Sequence, residues 1–62
     1  MKTYRVCYLL FFRGRDNQQR STVITAQSDE YARLFAREYM EGVRKLESAW
    51  RAELGLVEIM ST

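Results

Sequence analysis

The first patterned segment, residues 2–13 (KTYRVCYLLFFR), is apolar on both sides of any strand it forms. Aromatic and β-branched residues dominate it, and these favour extended backbone. Side chains alternate between the faces of a strand. Tyr4, Val6, Tyr8, Leu10 and Phe12 therefore line one face, and Arg5, Cys7, Leu9, Phe11 and Arg13 the other. A strand apolar on both faces belongs in the middle of a sheet, with cover above and below. A chain of 62 residues has little to cover it with.

The remaining elements follow from local chemistry. Residues 14–19 (GRDNQQ) have the composition of a turn. Residues 20–27 (RSTVITAQ) read as a second strand, which makes a β-hairpin whose register the turn leaves open. Ser28 is a good helix N-cap, with Asp29 and Glu30 in the first turn. Apolar residues then fall at Ala32, Phe35, Ala36, Tyr39, Val43, Leu46 and Trp50, in phase at ~100° per residue. The phase continues across Gly42, which predicts one long helix over residues 29–53, with Gly55 as its stop and a kink at Gly42 left open. Residues 56–60 (LVEIM) read as a short third strand. The expectation is a single small α+β domain over residues 1–62, of order β-β-α-β. Its three-stranded antiparallel or mixed sheet is packed on one face by a single long helix, with the third strand antiparallel beside the first.

One helix covers one face. Whichever it covers, a row of large side chains from the first strand stays open, and a row of that size marks an interaction surface. In one case that row is Cys7, Leu9 and Phe11, and in the other it is Tyr4, Val6, Tyr8, Leu10 and Phe12; which face is free stays open, and Cys7, Leu9 and Phe11 are the candidate protein interface. Self-association through that face or through a sheet edge is the expected rescue for a fold this small. Disulfides and metals offer no alternative, because there is one cysteine and no histidine.

The missing histidine also removes Ser-His and Cys-His nucleophile pairs. The three glycines lie far apart, so no phosphate-cradling loop exists. The chain is expected to be non-catalytic, with no cofactor and no metal. The longest apolar run, Val6 to Phe12, is far short of the ~20 residues that span a bilayer. No signal peptide is visible, and the lone cysteine suits a reducing compartment. The expectation is a cytoplasmic protein without a membrane partner.

The net charge of +2 is unevenly spread. Residues 1–27 carry five basic residues against one acidic, a net +4. Residues 28–62 carry five against seven, a net −2. Arg13, Arg15 and Arg20 flank the expected hairpin tip, where arginine forks suit phosphate and the amides of Asn17, Gln18 and Gln19 suit base edges. They are the candidate nucleic-acid or phosphate contacts. Aromatic strand residues would stack on bases if exposed. On the helix, Arg33, Arg37, Arg44 and Arg51 fall within about 40° of one another beside the apolar stripe. Glu41–Lys45 and Glu47–Arg51 pairing partly neutralises that side, which reads as a solvated face, with an acidic protein partner as the sharper alternative. Cys7 reads as a small buried hydrophobe.

The positions Val23-x-Thr25-Ala26-x-Ser28-x-x-x-Ala32, after Tyr4-x-Val6-x-Tyr8, resemble those of small β-β-α-β proteins. These include uncharacterised phage and bacterial reading frames and a small archaeal ribosomal protein of the large subunit. The likeness covers about half the chain and consists of packing positions, so it implies fold and carries over no functional residue. It favours a phage-type accessory or anti-defence role and an RNA-contacting one. The functional expectation is a homo-oligomeric protein-interaction module, an inhibitor or adaptor that engages a protein partner. A nucleic-acid-binding module using the hairpin tip is the alternative. An oligomer that binds a small phosphorylated ligand between subunits is the third reading.

Overall fold

A computed structural model describes residues 1–61, with side chains through Met60; Thr62 lies outside the described residues. Four elements follow in order: β1 (Lys2–Phe11), β2 (Gln18–Ala26), α1 (Asp29–Leu46) and β3 (Arg51–Ser61). The sheet runs β2-β1-β3 with both pairings antiparallel, so the strand apolar on both faces is central as expected. The fold is α+β, of order β-β-α-β, with one helix against one sheet face.

The helix takes the face of Tyr4, Val6, Tyr8, Leu10 and Phe12, all of them buried. It meets that face with small side chains. Ala32 and Ala36 are fully buried and Met40 nearly so, Ala32 in one cluster with Tyr4 and Ala36 and Met40 in another with Tyr8. Ala26 and Ala49 complete the core, and half-buried Ile24 and Val57 join its two clusters. Burial of each large side chain is worth roughly 1.5–3 kcal/mol, so the β1 row supplies most of the core's stabilisation.

Two side-chain ties fasten the helix to the sheet, one at each end. At the start, the Tyr4 hydroxyl donates to Asp29 Oδ1 at 2.7 Å, while the Tyr31 backbone N–H donates to Ser28 Oγ at 3.3 Å as the N-cap. At the far end, the Arg20 guanidinium donates to both Glu47 carboxylate oxygens, at 2.5 and 2.6 Å.

The helix stops at Leu46, not at residue 53. Glu47 is its C-cap, and Ser48 takes the left-handed conformation at φ 60°. The Ala49 N–H donates to Arg44 O at 2.9 Å and the Ser48 N–H to Lys45 O at 3.3 Å. This is the Schellman arrangement, with serine where glycine is usual. Ala49 then turns into the core and the Trp50 N–H donates to Phe11 O, which opens β3 at Arg51. The third strand therefore covers 51–61 and not only 56–60. Leu46 and Trp50 kept the helical phase without belonging to the buried face: Leu46 is 85% exposed and Trp50 lies beyond the helix. Gly55 is no helix stop. It sits in β3 where a Cβ would lie 3.0 Å from the Cys7 carbonyl oxygen, beside a register shift opposite Val6–Tyr8. The hairpin strands are shifted as well: β1 ends at Phe11 instead of 13, and β2 runs 18–26 instead of 20–27.

Candidate interaction surfaces

The pairing Arg5↔Val23, Cys7↔Ser21 and Leu9↔Gln19 fixes what shares the helix-free face. On the other side Arg5↔Glu58, Leu9↔Glu53 and Phe11↔Arg51 do the same. The structure brings Cys7, Leu9 and Phe11 together on this face. Their surroundings differ. Phe11 is half-buried under the Arg51 guanidinium, 5.6 Å from its ring centre, with the Trp50 ring edge-on at 6.1 Å. Leu9 is open, and half-buried Cys7 shares a depression with Leu9, Gln19, Gly55 and Leu56. Leu56 and Val23 are both more than half exposed and enlarge the apolar centre. The alternation of β2 identifies Val23 only once the register is known. Leu56 was concealed because the β3 bulge resets its phase.

Charges on this face are paired with one another. Arg5 donates to Glu58 Oε1 at 2.8 Å across the strands, and Arg51 to Glu53 Oε2 at 2.6 Å along one strand. Exposed pairs of this kind add at most ~1 kcal/mol of stability. They do leave an electroneutral face, with an apolar centre between two ion pairs. That combination suits contact with another protein, since interface cores are depleted of unpaired charge.

The end of the molecule at the hairpin turn is a second surface. Arg13 lies 5.7 Å from the centre of the half-exposed Trp50 ring, and Arg15 lies 3.8 Å from that of Phe12. Arg20 does not join them. It pairs with Tyr8 in the β1–β2 ladder on the helix face and is held by Gln18 and Glu47. This pairing holds the Glu47 carboxyl below its ordinary value, chiefly through the hydrogen bond from Arg20, with the Arg20 and Arg15 charges adding to it. Arg51, expected on the helix, is instead the third guanidinium near this end, over Phe11. Sequence reasoning missed it because the helix end was misplaced.

No family model matches the chain, and no curated protein or solved structure is significantly similar to it. Among the described residues no group of three or more His, Cys, Asp or Glu is placed to hold a metal ion. No helix there is long and apolar enough to cross a membrane.

On the helix itself, Arg33 and Arg37 border the β3 side, where Arg37 lines a depression with Met40, Ala52, Glu53 and Leu54. Arg44 donates to Glu41 at 2.9 Å and to the Ala49 carbonyl at 3.2 Å, so it serves the helix end and not a ligand.

Proposed function

We propose that this protein is a non-catalytic interaction module that binds a protein partner through its helix-free sheet face. The observation that carries the reading is the apolar centre of Cys7, Leu9, Val23 and Leu56, uncovered by the chain's helix and bordered by charges already neutralised within the chain. A partner that covers it desolvates little unpaired charge, and a surface carried on paired strands can be met without rearrangement. An inhibitor or adaptor role fits this description.

The chain's single cysteine provides the test. A photo-crosslinker attached to Cys7 should give one dominant protein adduct in its host. The adduct should vanish with Leu9→Glu, which adds charge to an exposed site without touching the core. An adduct indifferent to Leu9→Glu would remove the helix-free face from the interaction.

A second reading has its own support at the hairpin end. Half-exposed Trp50, with Arg13 and Arg51 nearby, combines a stacking ring with phosphate-binding forks, the elements of single-stranded nucleic-acid contact. Binding of this kind weakens steeply with salt and is lost with Trp50→Ala.

A further inference from the structure

The two sheet edges are built differently. β3 carries Arg51, Glu53 and Glu58 and is broken by two register shifts, the devices that blunt an exposed edge. β2 has neither protection. Its nine residues pair with β1 without a shift, and their one charge, Arg20, is turned toward Glu47. There is no proline anywhere in the chain. The outer side of β2 therefore offers a straight row of backbone donors and acceptors.

The helix is asymmetric to match. About its axis, taking ~100° per residue, Ala32, Ala36, Met40 and Val43 form the stripe on the sheet. Arg33, Arg37 and Arg44 follow on the flank toward β3. On the opposite flank lie Tyr31, Phe35, Tyr39, Gly42 and Leu46. The β2 side of that flank is fixed by Tyr31 and Phe35, which line a depression with Gln27 at the end of β2 and with Met1. Tyr31 and Phe35 stack at 5.9 Å, and all four large side chains of the flank are 40% or more exposed. Gly42 lies among them with nothing within 4 Å of where its Cβ would be. A mid-helix glycine is unfavourable relative to alanine, and nothing in the chain's own packing asks for one there. The space beside it is open to a second helix flank.

We infer that a second copy of this chain pairs edge to edge along β2, giving a six-stranded antiparallel sheet in the order β3-β1-β2-β2-β1-β3. The aromatic flanks of the two helices pack on each other above the joint. A two-fold axis at Thr22 sets Arg20 opposite the Ile24 of the other copy, so no like charges meet, and the basic helix flanks point away. The contact runs ~30 Å along β2 and rises from the sheet edge over the exposed flank of the helix above it. Counting side chains from both copies, that approaches ~1,000 Å² in total, the lower end for specific dimers. The helix-free face plays no part in the pairing. It is instead doubled into one continuous platform on the far side of the joined sheet, so the inference stands whether or not a partner binds there.

Sedimentation equilibrium from ~1 µM to ~1 mM, where a dimer of this size should assemble, is expected to show mass rising from 7.4 kDa to twice that value. Phe35→Glu and Gly42→Gln should each weaken the dimer at least tenfold, and Leu9→Glu should leave it unchanged. Gly42→Gln meets open space in the single chain, so loss of the dimer with thermal stability retained separates the interface from the fold. In the unmodified protein, protection of β2 amides from hydrogen exchange should rise with concentration. A monomer throughout, a dimer indifferent to Phe35→Glu and Gly42→Gln, or one abolished by Leu9→Glu would each overturn the inference.

Discussion

Ser48 and Gly55 exchange the roles their residue types normally take. The left-handed position that ends the helix is occupied by serine, where L side chains crowd the backbone, while glycine sits where a strand backbone passes close by. Ser48→Gly should therefore raise stability by ~0.5–1 kcal/mol, the strain relieved outweighing the added freedom of the unfolded chain. Gly55→Ala should cost ~1–3 kcal/mol, because its Cβ would press on the Cys7 carbonyl, part of the backbone of the central strand. Chemical denaturation of the two variants checks both signs. Tyr4 adds a pH signature. Its hydrogen bond to Asp29, helped by burial and by the nearby negative charge, pushes its pKa from 10.0 to about 12. A folded pKa above the unfolded one contributes stability that is complete below pH 10 and lost between pH 10 and about 12. Thermal midpoints should fall across that window, and less so in Tyr4→Phe. The remainder belongs to Tyr8, raised chiefly by burial.

At the level of elements, the start of the helix was legible and its end was not. Ser28 followed by Asp29 and Glu30 is a local signal, and the cap forms where those residues stand. Ser28→Ala should cost about 1 kcal/mol, read as a lower unfolding midpoint in urea. The end depended on which apolar residues reach the sheet. Val43 packs on the core while Leu46 lies 85% exposed, a distinction that helical periodicity cannot make. Residues 51–55 then belong to β3 because Trp50 finds the Phe11 carbonyl and Ala52 and Leu54 find the face of Leu10 and Tyr8. The Arg20–Glu47 tie joins β2 to this turn. With its folded pKa depressed, Glu47 contributes stability that is present above pH 4.5 and lost as the pH falls through the folded value. Arg20→Gln should flatten that acid limb, measured as the midpoint against pH from 6 to 2.

For the whole molecule, β1 is the axis on which everything depends. Leu10, next to the strand's last residue, is fully buried, and Leu10→Ala should cost ~2–5 kcal/mol, a large share of what a domain this small possesses. Residues read along the chain were enough to expect β1 at the centre, a hairpin with β2, one helix after Ser28 and one face of β1 left bare, while the sheet could still be antiparallel or mixed. All of these follow from alternation, periodicity and capping, which act between near neighbours along the chain. Long-range packing chose which face the helix takes, through the burial of Ala32 with Tyr4 and of Ala36 with Tyr8. It placed Arg20 against Glu47 and set Arg51 over Phe11. It also brought Val23 and Leu56 beside Leu9, and left β2 as the unprotected edge. Those outcomes depend on strand register and on the point where the helix breaks. Both are fixed by contacts between residues far apart in the chain, such as Arg20 and Glu47, which lie 27 positions apart. The bare face was foreseeable from residues 2–13 alone; its composition was not.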